Sequence, residues 1–404
     1  MSQIKYWMWL ACLSRLRPKA KLIALDFFSG VEELFFASET ELRAVEGLRE
    51  QEIALLADKS MDRAMSALDV CVREDIRILA WGDSGYPRRL AQIYDPPAVL
   101  FVRGRLPAVD ELCTVAVAGT RRCTPYGKKM AMRLGSEIAQ GGGVVVSGLA
   151  DGVDSAGAEG ALRGGGICIG VTGAPIDQVY PRSNLSLYRD VCAVGAVVGE
   201  YPPGTPYARH HFPARNRILS GLSLGVVIIE APEHSGALIT AEYAQEQGRD
   251  VFAVPGNADS AACAGSNELL RDGAQLALSG WDVLREYEGL YPHTIRRKTG
   301  KPLDIPGENM PVSPAGKADP AQKDIDNGKD LEYSDLEEQL AALSPRQLKI
   351  VSAIDGECYA DSIIEKTKLT AAEVMSELTM LQIMGYVAPA GFDKYRLNIK
   401  TKRG

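Results

Sequence analysis

Residues 114–148 read TVAVAGTRRCTPYGKKMAMRLGSEIAQGGGVVVSG and contain the pattern on which the fold prediction rests. Two short apolar runs, TVAVAG and GVVVSG, are bounded by glycine, and the chain between them is long enough for one helix. Strands that are apolar on both faces are typical of a parallel sheet covered on both sides. The stretch therefore predicts a strand, a crossover helix and a second, parallel strand.

The same alternation extends over residues 75–288. Further glycine-bounded or apolar runs follow the same spacing: IRILAW, GICIGV, GAVVGE, GVVIIEA and DVFAVPG. Most successive runs are separated by enough chain for a helix. The pattern predicts an α/β domain with a Rossmann-like, doubly wound and mostly parallel sheet.

Two other regions flank this domain. Residues 1–70 show apolar positions at three- and four-residue intervals, as in AKLIALDFFSGVEELFF, and predict a small helical domain. A partner or packing role is favoured there over DNA contact, because SRLRPKAKL lacks the Gly-x-Gly turn of hairpins that grip a DNA backbone. Residues 289–333 are rich in Pro and Gly and poor in large apolar side chains, which predicts a flexible linker.

Residues 334–400 predict three helices and a short β-hairpin, which together indicate a winged helix. Its third helix offers Glu373 and Glu377 but no lysine or arginine, although contacts to phosphate and guanine need cations. Protein contact or structural support is therefore favoured over base reading. The nearby Lys366 and Lys368 leave the DNA-binding alternative open.

Composition sets broad limits. The chain has 404 residues, 46% of them hydrophobic, and a formal net charge of −7, so any nucleic-acid binding must come from a local cluster of cations. Its eight cysteines are scattered without a C-x-x-C pair, which favours a reducing cytoplasm and disfavours a metal site. The N-terminal apolar run is too short for a signal peptide or a membrane span. We expect a soluble cytoplasmic protein.

Three turns at predicted strand ends carry a glycine beside a small hydroxyl: Gly119–Thr120, Ser147–Gly148 and Ser235–Gly236. In an open parallel sheet, ligands bind beyond the carboxyl ends of the strands. Such turns present backbone N–H groups and a hydroxyl to an anion, although helix capping is the alternative for each one. Together with Arg121, they predict a phosphorylated ligand.

The segment HFPARNRILSG, residues 211–221, places Arg215, Asn216 and Arg217 in the first turn of a predicted helix that has Pro213 near its start. A helix N-terminus disfavours a cation by roughly 0.3–1 kcal/mol, so an anion is expected nearby. The alternative is a structural ion pair with Glu200 or Glu230. Because successive helical residues are about 100° apart, the two arginines cannot both face one ligand.

Aromatic residues adjoin this cluster. Phe212 stands beside the arginines, and Tyr201 and Tyr207 come just before it. Stacking on nucleobases would contribute roughly 1–3 kcal/mol per base without reading the sequence. The alternatives are a hydrophobic staple for Phe212 and loop packing for the tyrosines.

Signatures of common cofactors and of catalysis are missing. No G-x-G-x-x-G follows a strand, and GTRRCTPYGKK has neither the glycine spacing of a Walker A loop nor a Ser or Thr after its lysine. We predict no cofactor and no metal. The four histidines, His210, His211, His234 and His293, lack evident partners. Glu230 is the best candidate acid or base, with the alternative that it holds an arginine such as Arg217. Candidate catalytic residues are therefore few.

Seven ordered motifs resemble the DNA-processing protein A family, also called DprA or Smf: VAVAGTRRCTPYG, VVVSGLADGVDSAGAEGAL, VYPRSN, GEYPPGTP, FPARNRILSGLS, IIEAPEHSGALITAEYAQEQGRDVFAVPG and GSNELLRDGA. The resemblance implies a single-stranded-DNA-binding protein that protects incoming DNA in natural transformation and loads RecA onto it. It also implies no catalytic turnover, a SAM-like N-terminal domain and a homodimer formed through the Rossmann-like domain, for which we favour the helix around residues 236–247 and the strand after it.

By position, the family's Gly-Ser-Arg turn corresponds to Gly119, Thr120 and Arg121. Its Phe-Pro-x-Arg-Asn-Arg element and its two Ser-Gly turns correspond to Phe212, Pro213, Arg215, Asn216, Arg217, Ser147–Gly148 and Ser235–Gly236. Three positions depart from the family pattern. Asp151 stands where Arg or Lys is usual, Ala158 replaces a histidine, and Ala214 replaces a basic residue.

Two other functions remain open at this point. IIEAPEHSGALITA is also similar to the phosphoribohydrolase and nucleotide-sensor branch of Rossmann-like proteins, in which Glu230 and Thr240 would serve a small nucleotide. That branch usually carries P-G-G-x-G-T-x-x-E, which this chain lacks. The other alternative is a structural adaptor that uses its end domains.

Overall fold

The computed structural model describes residues 3–297, 344–354, 357–367, 369–383, 386–391 and 394–397. They belong to two compact units, one with the described residues up to 297 and one with those from 344 onward. Most of the predicted linker, residues 298–333, and the candidate Lys368 lie outside the described residues.

The first unit begins with six helices: α1 (Ile4–Cys12), α2 (Pro18–Phe27), α3 (Val31–Phe36), α4 (Glu39–Arg43), α5 (Glu50–Ala57) and α6 (Asp62–Arg73). Trp9 of α1 is buried, and its indole N–H donates to the Asp58 carbonyl at 2.9 Å. Trp9 belongs to the same continuous core as Phe101 in the sheet that follows. The helical region is thus packed on the sheet, and the predicted domain limit between residues 70 and 75 stays a prediction.

A nine-stranded sheet follows: β1 (Arg77–Ala80), β2 (Val99–Gly104), β3 (Thr114–Ala118), β4 (Val144–Ser147), β5 (Cys168–Thr172), β6 (Ala196–Gly199), β7 (Gly225–Ile228), β8 (Asp250–Ala253) and β9 (Gln275–Leu276). The strand order is β1-β2-β6-β5-β4-β3-β7-β8-β9. All pairs from β6 to β9 are parallel, and β2 pairs antiparallel with both β1 and β6. This confirms the predicted doubly wound, mostly parallel α/β fold.

The sheet is covered by α7 (Arg88–Ala91), α8 (Pro125–Gln140), α9 (Val153–Arg163), α10 (Leu185–Val194), α11 (His211–Gly221), α12 (Gly236–Glu246), α13 (Ala264–Arg271) and α14 (Gly280–Leu284). Helix α8 begins where the Thr124 hydroxyl accepts from the Gly127 N–H, with Pro125 in the first turn. Helices α8 and α9 pack closely because Gly135 has no side chain. A Cβ there would lie 2.2 Å from the Gly157 carbonyl oxygen.

The first residues of the predicted linker pack on this unit. Ile295 is 2% exposed, and the Arg296 N–H donates to the Gly141 carbonyl at 3.0 Å.

The second unit contains α15 (Pro345–Ala353), β10 (Glu357–Tyr359), α16 (Ala360–Thr367), α17 (Ala371–Ile383), β11 (Val387–Gly391) and β12 (Lys394–Leu397), with strand order β10-β12-β11. Glu373 of α17 lies 3.4 Å from Arg346, and Glu377 accepts from the Gln347 amide at 2.9 Å. Both carboxylates thus contact the start of α15. The winged-helix assignment stays a prediction.

Candidate nucleic-acid interface

A cleft of about 750 Å³ opens at the carboxyl ends of β3 and β7. The chain runs from β3 through β4 and β5 to β6 on one side, and from β7 to β9 on the other. The strand order therefore reverses between β3 and β7, and this reversal leaves a crevice between the loops that follow the two strands.

Eight of the eleven predicted site residues line this cleft: Gly119, Thr120, Arg121, Phe212, Arg215, Asn216, Ser235 and Gly236. They come from three separate segments of the chain. The sequence thus located the loops that meet at the cleft. Three predicted residues, Ser147, Gly148 and Arg217, do not line it.

Arg121 is the accessible cation of the loop that follows β3. Its side chain is exposed, and its guanidinium carbon lies 5.4 Å from the centroid of the Phe212 ring. Within the described residues it forms no ion pair. Its charge is therefore available to an anion in the cleft.

The backbone on either side of Arg121 is fixed by its neighbours. The Thr120 N–H donates to the Glu230 carbonyl at 2.7 Å, and the Thr120 carbonyl accepts from the Val153 N–H at 3.2 Å. Gly152 has φ +84°, and a Cβ there would lie 2.5 Å from the Thr120 oxygen. Only glycine fits this approach. The Thr120 N–H is thus already bonded, in contrast to the predicted role of this turn as an open phosphate cradle.

Arg215 lies at the base of the cleft. It is 4% exposed, and its guanidinium donates to the Val171 carbonyl. Burial raises the pKa of the neighbouring Asp154 to about 6, opposed by Arg215 and by the Gly119 and Ala150 N–H groups. Burial also lowers the pKa of Arg215 to about 10. Both groups are charged at neutral pH, so Asp154 offsets part of the Arg215 charge.

Ser147 and Gly148 have structural roles in place of the predicted anion contact. Ser147 is fully buried, and its hydroxyl donates to the Asp154 carbonyl at 2.8 Å. A Cβ on Gly148 would lie 2.3 Å from an Asp154 carboxylate oxygen and 2.5 Å from an Arg215 Nη atom. Gly148 therefore leaves room for the buried pair, and Ser147 ties the end of β4 to the first turn of α9, which carries Asp154.

Arg217 points away from the cleft, which corrects its predicted role. It is 2% exposed, its Nη2 lies 2.9 Å from both carboxylate oxygens of Glu200, and its Nε lies 3.1 Å from Asp95. Two residues along a helix correspond to about 200°, so Arg215 and Arg217 lie on opposite faces of α11. The alternative of a structural pair with Glu200 describes Arg217 correctly.

The start of α12 forms another wall. The Ser235 hydroxyl accepts from the Ala237 N–H at 3.3 Å, which is a capping contact. The Asn216 amide donates to the Gly236 carbonyl at 3.2 Å and ties α11 to α12. A Cβ on Gly236 would meet no atom within 4 Å, so this backbone borders the open cleft. The positive end of the α12 dipole adds to the field there.

Three aromatic rings form a cluster beside Arg121. Phe212 lies 5.0 Å from Tyr180 and 5.7 Å from Tyr207, and the two tyrosine rings are 5.3 Å apart, all between centroids. Tyr180 and Tyr207 are 40% and 45% exposed. Tyr201 lies elsewhere and stacks on His211 at 3.7 Å. Sequence reasoning missed Tyr180, although the tyrosine before a proline in VYPRSN was a usable signal.

Glu230 does not line the cleft, and it is 1% exposed. Its carboxylate accepts from the N–H and the hydroxyl of Thr124, and among the described residues it pairs with no arginine, in contrast to the predicted alternative of an ion pair. Thr240 and the exposed His234 line the cleft. Across the described ranges no helix is long and apolar enough to span a membrane, and no cluster of three or more His, Cys, Asp or Glu residues suits a metal.

The model of the DNA recombination-mediator protein A family matches residues 77–288, just over half of the chain. The chain belongs to this family. It is 31% identical over 401 residues to protein Smf of Synechocystis, covering 96% of this chain and 97% of the relative. It is 43% identical over 210 residues to DNA processing protein DprA of Streptococcus pneumoniae, covering 51% of this chain and 72% of that protein.

The X-ray structure of that pneumococcal DprA has a similar fold. It superposes with a TM-score of 0.60 at 35% identity, covering 70% of this chain and 97% of the other. The resemblance to the DprA family is thus confirmed. Two of the positions that depart from the family pattern have different surroundings. Asp151 is exposed and accepts from the Ser183 hydroxyl at 2.9 Å, whereas Ala158 is fully buried.

Proposed function

We propose that this protein binds single-stranded DNA across the cleft and the neighbouring aromatic cluster of Tyr180, Tyr207 and Phe212. The observation that carries the proposal is the exposed, unpaired Arg121 guanidinium against Phe212, between the cleft and these rings. Phosphate would meet Arg121 and the positive end of α12, while bases stack on the tyrosines.

The exposed rings favour single strands over duplex. Stacking on an aromatic ring needs a base with a free face, and duplex bases already stack on each other. The rings of Tyr180 and Tyr207 are exposed at the surface beside Arg121. Proteins that bind single strands combine exposed aromatic rings with nearby cations in this way. The hydrogen bond with Tyr180 raises the pKa of Tyr207, and the charges of Arg121 and of the exposed Arg209 oppose this shift, so both arginines lie near the Tyr207 ring.

The relatives support a role in DNA processing, since the pneumococcal and Bacillus subtilis homologues are both DNA processing proteins DprA. That this processing serves natural transformation is part of the proposal and rests on the family resemblance. We extend the proposal to protection of incoming DNA, loading of RecA and a homodimer, which the family resemblance implies, and to a cytoplasmic location, which the scattered cysteines favour. We also propose that the protein has no catalytic turnover. Glu230, the candidate acid or base of the phosphoribohydrolase alternative, is buried away from the cleft.

Fluorescence anisotropy with a labelled oligothymidylate tests DNA binding. We expect saturable binding at low salt and an affinity whose log–log slope against salt is about −0.7 per contacted phosphate. Arg121→Ala should weaken binding about tenfold or more and reduce the slope by about 0.7. Arg189→Ala is the matched control, because Arg189 is exposed on α10 and does not line the cleft. Absence of saturable binding at low salt would refute the proposal.

A further inference from the structure

Glu230 is a buried acidic residue just beyond the end of β7, and it contacts the loop that carries Arg121. It is 1% exposed, and within the described part of the chain it forms no ion pair. A buried charge persists only where other groups satisfy it. The contacts of Glu230 therefore indicate why a carboxylate is kept there.

Glu230 binds both ends of the Arg121 loop. Its backbone carbonyl accepts from the Thr120 N–H at 2.7 Å. Its carboxylate accepts from the Thr124 N–H and from the Thr124 hydroxyl, each at 2.7 Å. The three residues between these contacts, 121–123, contain the exposed arginine. One residue thus clamps the loop immediately before and shortly after the cation.

The surroundings of the carboxylate are built for it. Thr124 is the N-cap of α8, so the positive end of that helix faces Glu230. A Cβ on Gly127 would lie 2.3 Å from a Glu230 oxygen, so the first turn of α8 has space for the carboxylate only because residue 127 is glycine. The Cys263 thiol lies 3.8 Å from the other oxygen.

Helix capping alone does not require these contacts. The Thr124 hydroxyl already accepts from the Gly127 N–H at 3.2 Å, which is a complete cap. The contacts of Glu230 act instead on the loop before the helix, where Arg121 has no ion pair to hold it. Holding a cation in place before binding reduces the ordering cost at binding.

We propose that Glu230 is a positioning residue for DNA binding, which it serves by fixing the loop that presents Arg121. The inference rests on the proposed function, because it assigns to Glu230 a role in the same DNA site. Glu230→Ala should weaken oligothymidylate binding about tenfold, as the loss of two hydrogen bonds to one carboxylate implies. Glu230→Gln should bind nearly as well as wild type. Its amide oxygen can accept from the Thr124 N–H, and its NH₂ can donate to the Thr124 hydroxyl.

A double-variant cycle with Arg121 separates positioning from general destabilisation. If Glu230 acts through Arg121, Glu230→Ala should cause no further loss of affinity in the Arg121→Ala background. Hydrogen exchange should show faster opening of amides 119–124 in Glu230→Ala. Ser279→Ala is the matched control, because it removes a capping hydroxyl from α14, which does not line the cleft. It should leave affinity unchanged.

Thr124 offers a second route should Glu230→Ala fail to fold. Thr124→Val should reproduce the loss of affinity, whereas Thr124→Ser should retain wild-type binding. The inference is overturned if folded Glu230→Ala binds like wild type, or if its loss adds fully to that of Arg121→Ala. Failure of the wild-type protein to bind the oligonucleotide would instead refute the proposed function.

Discussion

Replacing Arg217 with methionine should separate stability from DNA binding in this protein. Arg217 is nearly as buried as any large side chain of the core. It binds both oxygens of Glu200 at 2.9 Å, Asp95 at 3.1 Å and the Ala214 carbonyl at 3.1 Å. Methionine fills much of the same volume without the charge.

The expected loss of stability follows from the buried carboxylate that remains. Removing one partner of a buried ion pair costs about 3–5 kcal/mol, because the other charge stays in a poor solvent. Glu200 is 9% exposed and would lose its bidentate partner. Burial lowers the pKa of Lys21, and the Glu200 carboxylate opposes that shift, so a lysine remains close to Glu200. We therefore expect Arg217→Met to lower the free energy of unfolding by about 3 kcal/mol, the lower end of this range.

Urea denaturation and anisotropy measured on the same preparations provide the assay. Arg217→Met should unfold at lower urea but, below its transition, bind oligothymidylate like wild type. Arg121→Ala should unfold at the same urea concentration as wild type but bind oligothymidylate more weakly. Adding Glu200→Gln to Arg217→Met should recover part of the lost stability, because the uncompensated charge is removed. A stable Arg217→Met protein that no longer binds DNA would show that Arg217 contacts the ligand and that the buried pair has been misread.

Three further results are expected. Tyr207→Ala should weaken oligothymidylate binding by about 1–3 kcal/mol per lost base stack, while Tyr207→Phe binds like wild type; equal losses in both variants would exclude stacking. Because burial raises the pKa of Asp154 to about 6, the folded protein holds, between about pH 4 and pH 6, a proton that the unfolded chain, with a pKa near 3.9, has lost. The free energy of unfolding relative to Asp154→Asn should thus fall by about 2 kcal/mol as pH rises from about 4 to 7, and urea curves at both ends check this. Asp151→Lys, at an exposed position next to the cleft-lining Ala150, should tighten binding and steepen the salt slope by about 0.7, as anisotropy over a salt series would show.

Much of the fold could be predicted because its signal is local. The runs TVAVAG and GVVVSG became β3 and β4, and the helix between them became α8, since full burial of a parallel strand leaves a continuous apolar run. Strand β2 was missed. It follows Pro96 and Pro97 and lies next to the parallel part, so the pattern of glycine-bounded runs with crossover helices does not describe it.

The site was predicted only in part, because helical spacing gives the angle between residues but not the direction of the core. Spacing placed Arg215 and Arg217 on different faces of α11. Nothing in their neighbours in sequence shows that Asp95, more than a hundred positions away, contacts Arg217. Likewise, the sequence around Ser147 does not show that its hydroxyl donates to the backbone carbonyl of Asp154 and is therefore not free for an anion.

The difference among the predicted arginines has a physical cause. Desolvating an unpaired charge is costly, so a buried cation is folded together with a counter-charge. Arg217 has Glu200 and Asp95, and Arg215 has Asp154 nearby. At these positions a phosphate would have to compete with a carboxylate. Arg121 lies on an exposed loop, where water solvates its charge and no partner was needed for folding. No carboxylate of the residues that the structure describes is ion-paired with Arg121, so a phosphate there has no ion pair to break, and this is why the loop after β3, rather than the arginine-rich helix, should supply most of the salt-dependent affinity.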